Sequence, residues 1–97
     1  MSDFNKLLTE SIRLALLQAL EQDPGYSHNE NILQMILASV GHDVSADRVR
    51  TELRWLEEQG LLAITTVGEL LIAKVTQRGV DVALGRSRID GIGRARP

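Results

Sequence analysis

Three arginines, Arg48, Arg50 and Arg54, fall within seven residues of the stretch VSADRVRTELRWLEEQGLL, Val44 to Leu62. A guanidinium fork can make two parallel bonds to a guanine edge or a phosphate, so arginines sharing one helix face suggest contact with a nucleic-acid groove. The same stretch holds Asp47, Glu52, Glu57 and Glu58. Those acids leave a second reading open, a solvated helix face laced by its own ion pairs.

The element that must position these side chains is one amphipathic helix. Ser45 is placed to cap it by accepting from a free backbone N–H, and Asp47 suits the positive end of the helix dipole. Val44 and Val49 have the spacing of a hydrophobic staple. Val49, Leu53 and Leu56 form the expected buried stripe, and Gly60 ends the helix. The opposite arc then carries Asp47, Arg50, Thr51, Arg54 and Glu58, with Arg48 and Trp55 on one flank.

Ninety-seven residues, 43% hydrophobic and 25% charged, make a single ordinary globular domain. No apolar run approaches the ~20 residues of a membrane span, and the N-terminus MSDFNKLLTE has no basic leader, so a cytoplasmic protein is expected. The chain has no cysteine, which excludes disulfides, thiolate metal sites and cysteine nucleophiles. Its net charge is −2, divided unevenly: residues 1–44 carry −4 and residues 45–97 carry +2. A polyanion would meet the second half.

In chain order, Asp3 to Gln22 is helical by pattern, with Phe4, Leu8, Ile12, Ala15, Leu16 and Ala19 near one face. Leu14 and Leu17 fall outside that face, which points to a homodimer interface on the first helix; the alternative is that the last helix of the same chain covers Leu17. Asp23 to Tyr26 form a turn. Ser27 and Glu30 have capping-box spacing and begin a second helix, whose buried stripe is expected at Ile32, Met35, Ile36, Ser39 and Val40, with Leu33 and Leu37 beside it. Met35 reads as core filler. Gly41 stops that helix, and the short turn into the central one gives a helix-turn-helix. Leu61 to Thr66 and Leu70 to Thr76 read as strands around a Val67-Gly68-Glu69 turn. Thr76 caps a last helix that Gly85 ends. Arg86, Arg88, Arg94 and Arg96, against Asp90 alone, suggest a basic, disordered tail over residues 86–97, or an ordinary solubilising terminus.

The fold class is therefore mainly α with a small β-hairpin wing (α+β), in the order α-α-α-β-β-α, with a winged helix-turn-helix domain at 1–85. RVRTELRWLEEQGLL, followed by a hairpin and VTQRGVDVALG, resembles the ArsR-like winged-helix regulators. DFNKLLTESIRLALLQALEQDPGYSHNENILQMIL, with DRVRTELRWLEEQGLL and TQRGVDVALGRSRIDGIGR, resembles small winged-helix proteins of Mu-like phages and prophages. The resemblance implies a fold and places Arg48, Arg50, Thr51 and Arg54 where a recognition helix faces DNA. The metal-sensing cysteine motif is absent, and the wing tip carries Glu69 in place of a basic residue.

Two functions are expected from these features. One is a dimeric reader of double-stranded DNA, a phage or prophage transcription regulator using the helix over residues 45–59, with Arg86 and Arg88 of the tail adding phosphate contacts. The other is a non-enzymatic protein-interaction module, such as a phage assembly adaptor. No catalytic motif is present, His28 and His42 lack ligand spacing, and neither cofactor nor metal is expected.

Overall fold

In the computed structural model, which describes residues 3–95, the expected helices and hairpin are present with one strand more. The order is α1 (Asp3–Gln22), β1 (Ser27–Asn29), α2 (Glu30–Ser39), α3 (Ala46–Glu58), β2 (Leu62–Val67), β3 (Leu70–Val75) and α4 (Gln77–Ala83). The sheet is antiparallel in the order β1-β3-β2. β2 and β3 pair from Leu62↔Val75 to Val67↔Leu70, and β1 adds to the other side of β3 from Ser27↔Lys74 to Asn29↔Ile72.

Several junctions follow their local chemistry. Ser45 caps α3 by accepting from the Arg48 N–H at 3.1 Å, and Thr76 caps α4 by accepting from Gly79 N–H at 3.1 Å. Gly41 (φ +96°) and Gly60 (φ +76°) leave α2 and α3 in the left-handed conformation that residues with a Cβ resist. The core is built from Ile12, Leu16, Leu17 and Leu20 of α1, Leu33 and Leu37 of α2, Val49, Leu53 and Leu56 of α3, and Leu61, Leu62, Ala73 and Val75 around the hairpin.

Four expectations are corrected. Ser27 does not cap α2, because it lies in β1; Asn29 is the cap and accepts from the Ile32 N–H at 2.9 Å. The inward stripe is Glu30, Leu33 and Leu37, with Glu30 drawn inward by Arg50 and the Leu71 N–H, while Ile32, Met35 and Val40 are exposed. In the turn before β1, Tyr26 takes a positive φ of +58°.

Leu17 is fully buried within its own chain, where α4 packs along α1, and is unavailable to a partner; Leu14 is half-buried against the core. The exposed apolar groups of α1 are instead Phe4, Leu7 and Leu8.

The segment after α4 is not free over its described length. Ile92 and Ala95 are buried, Ile89 packs against the core, and Gly93 N–H donates to the Glu10 carbonyl at 3.0 Å. These apolar residues recur every third position, enough to hold the segment on α1 while Arg86, Arg88 and Arg94 stay exposed. Arg96 lies outside the described residues.

Candidate functional site

The arginines of α3 are positioned by buried carboxylates. Glu52 and Glu30 are the buried charged side chains among the described residues, 3% and 6% exposed. Glu52 sits on the inward stripe of α3, one turn from Val49 and one from Leu56. It accepts from Arg48 Nε at 2.7 Å and from Arg13 Nε of α1 at 2.8 Å. Arg48 also donates through Nη2 to Thr9 Oγ1 at 2.8 Å. Two cations from different helices thus satisfy one carboxylate, which is what a charge withdrawn from water requires.

Arg13 does more than neutralise Glu52. Its guanidinium carbon lies 3.7 Å from the Trp55 ring centroid, and its Nη1 donates to the Gly91 carbonyl at 2.9 Å. A Cβ at Gly91 would come within 2.9 Å of the Trp55 ring, so the segment after α4 lies directly on that ring. Trp55 is therefore an internal packing residue between α1, α3 and the C-terminal segment.

Glu30 forms the second centre. It accepts from Arg50 Nε at 2.6 Å and Nη2 at 2.8 Å, and from the Leu71 backbone N–H at 2.6 Å. Arg50 Nη2 also donates to the Glu69 carbonyl at 2.6 Å. One ion pair joins α2, α3 and the wing. The Arg50 hydrogen bonds hold the Glu30 carboxyl below the usual carboxylate range, helped by the Leu71 N–H and opposed by burial; Glu30 in turn raises Arg50.

A lowered carboxyl pKa contributes stability above its unfolded value and loses it as pH falls through the folded one. Acid unfolding followed by circular dichroism should therefore show a destabilisation below about pH 4 that Glu30→Gln diminishes. Near neutral pH, Glu30→Gln should already be less stable than the parent, because the charge-assisted fork is weakened.

Of the remaining expected site residues, Arg54 is exposed and pairs with Glu57 at 3.1 Å. Thr51 is exposed, and its hydroxyl donates to the Asp47 carbonyl at 3.0 Å. Arg86 lies 3.8 Å from Asp81, and Arg88 is exposed beyond α4. The structure thus brings Arg50, Thr51 and Arg54 to the outer side of α3, and turns Arg48 toward α1. The residues that sequence reasoning missed are Glu30, Glu52 and Arg13. Glu52 had a legible signal, since it stands at helical spacing from both Val49 and Leu56.

The outer surface of α3 and the wing is consequently not cationic. Arg48, Arg50, Arg54 and the exposed Lys74 of β3 stand with Arg13 against Glu30, Asp47, Glu52, Glu57, Glu58 and Glu69, one negative charge in excess. Beside them stand the exposed Thr65, Thr66 and Val67 of the hairpin. Among the described residues there is no group of three or more His, Asp or Glu side chains that could hold a metal, and no helix long and apolar enough to cross a membrane.

Comparison with known proteins gives two relatives. The chain is 43% identical over 93 residues to the uncharacterized protein gp26 of Escherichia phage Mu, covering 96% of each chain. It is 46% identical over 76 residues to an uncharacterized protein of Haemophilus influenzae, covering 77% of this chain and 74% of that one. No protein-family model matches, and no solved structure matches.

Proposed function

The chain belongs to the family of gp26 of phage Mu, and on that premise we propose that it is a non-enzymatic phage or prophage adaptor that docks a partner protein through α3 and the wing. The observation that carries this reading is the pairing of each α3 arginine with a glutamate of its own chain. Binding to a duplex is driven largely by cations that displace counterions from phosphates. On this surface those cations are already paired, and withdrawing Arg50 would leave the buried Glu30 carboxylate with only the Leu71 N–H donating to it.

A mixed, slightly acidic surface with exposed Thr51, Thr66 and Val67 suits a protein face, which is on average no more apolar than the rest of a protein's surface. The DNA-reading alternative retains one specific support. The winged helix-turn-helix order leaves Thr51 and Arg54 outward on the helix that would enter a groove.

A photo-reactive residue placed at Thr51, with a second variant at Val67, distinguishes the two in phage-producing cells. The expected product from both positions is a discrete cross-link to one protein, sensitive to protease and resistant to nuclease. A nuclease-sensitive adduct from both would overturn the adaptor reading in favour of DNA.

A further inference from the structure

The longest surface feature away from α3 is one side of α1. With successive residues ~100° apart, Phe4, Leu7, Leu8, Ser11, Leu14, Ala15, Gln18, Ala19 and Gln22 fall on one arc, and none of them is ionisable. The charged residues of this helix, Asp3, Lys6, Glu10, Arg13 and Glu21, all lie outside it. An uncharged face along a 20-residue helix is unusual for a surface, where lysine and glutamate normally dominate.

The two ends of that arc differ in shape. Near the N-terminus Phe4 and Leu7 stand out at 66% and 62% exposure, with Leu8 beside them. Toward the C-terminus the helix backs into a groove of about 260 Å3, lined by Leu14, Ala15, Ala19, Ile36 and Val40, with His42 at its rim. Knobs therefore occupy one half of the face, and a recess where α1 presents Ala15 and Ala19 the other.

We propose that this face binds a second copy of the same chain, with the two α1 helices antiparallel about a two-fold axis at Ser11. An isologous interface requires that each patch be the complement of its own image. A two-fold at Ser11 sets Leu7 opposite Ala15, Leu8 opposite Leu14 and Phe4 opposite Gln18, beside the recess. Leu7 and Phe4 then meet the recess while Leu8 packs against Leu14, on both sides of the axis. Along the arc no like-charged pair is created when the face meets its image; beside it, His42 lines the groove and bonds the Ser11 hydroxyl through Nε2 at 3.0 Å, so that hydrogen bond sits at the axis. The face runs the length of α1, about 30 Å, with the exposed Val40 of α2 alongside it. This inference does not depend on what α3 and the wing bind, and a dimer would present that surface twice.

The chain has no cysteine, so single cysteines report on register without interference. In the full chain under mild oxidation, Ser11→Cys lies on the axis and should give a disulfide-linked dimer. Phe4→Cys should not, because its two copies are ~21 Å apart along the helices, far beyond the ~4.4 to 6.8 Å between Cα atoms of a disulfide. By sedimentation the unmodified chain should show twice the monomer mass at tens of micromolar. Leu7→Glu should raise the dissociation constant at least about 100-fold by placing a charge in the apolar contact. Since Leu7 is exposed in the single chain, Leu7→Glu should leave the thermal midpoint of the dilute monomer unchanged. A monomer at every concentration, equal cross-linking of the Ser11→Cys and Phe4→Cys variants, or a Leu7→Glu variant that still dimerises, would each overturn the proposal.

Discussion

Gly79→Ala should be the most damaging single methyl that can be added to this chain, costing about 3 kcal/mol or more and lowering the thermal midpoint by ~15 °C. Gly79 lies inside α4, buried, with an ordinary helical backbone. A Cβ there would overlap the Leu61 carbonyl oxygen and approach Val75 Cγ2 to 2.6 Å. Neither neighbour can yield cheaply. The Leu61 carbonyl already accepts from the Thr76 N–H at 3.0 Å, and the Thr76 hydroxyl donates to the Gly60 carbonyl at 2.8 Å. Moving α4 away would break the cap that starts it and the bonds that fasten it to the end of α3. Gly68→Ala is the internal comparison, since a Cβ there meets nothing within 4 Å and only its φ of +62° resists substitution. That variant should cost about 1 kcal/mol. Thermal unfolding of the two variants side by side checks both values.

Glu52→Ala should rank second, at about 3 kcal/mol, and its effect should reach the C-terminal segment. Removing the carboxylate leaves Arg13 and Arg48 facing each other's charge beside a cavity. Arg13 is the more affected, since its side chain is only 17% exposed and cannot fully hydrate in place. Once Arg13 moves, its bond to the Gly91 carbonyl and its place over Trp55 go with it. Amide hydrogen exchange should then show residues 89–95 losing protection well before the helices, with a change in Trp55 fluorescence. Arg48→Ala should have a smaller effect on the same readouts, because Arg13 still neutralises Glu52. Equal loss of protection in both variants would mean that Arg13 does not hold the segment.

How far the fold was legible depended on whether a position's role could be seen in its neighbours. Ser45, Val49, Leu53, Leu56, Gly60 and Thr76 stand in patterns of caps, stripes and stops, and the structure uses them as those patterns imply. β1 was not legible, because three residues are too short to show alternation and its stability comes from pairing with β3, some 45 residues away. α2 was read one face out, since its inward stripe includes Glu30, a residue that pattern reading assigns to solvent and that is buried only because Arg50 and the Leu71 N–H satisfy it. The candidate site was legible in position and misleading in charge. Arg48, Arg50 and Arg54 are arranged on α3 as the helix pattern requires, but their partners Glu30 and Arg13 come from other helices, and single-helix periodicity carries no information about either. The segment after α4 shows the converse. Its arginines dominated the composition, whereas Ile89, Ile92 and Ala95 decide where it lies.

The claim on which the functional reading stands is that α3 and the wing do not read DNA. It is tested most directly by binding of the full-length protein to a pool of random duplex DNA at two salt concentrations, with sequencing of the retained fraction. The neutralised arginines predict no retained motif at either salt, and at most a weak retention at low salt, from exposed arginines such as Arg88, that vanishes as salt rises. Recovery of a short, roughly palindromic motif that persists at the higher salt, and is lost in Arg54→Ala, would contradict the adaptor reading and restore a sequence-specific regulator.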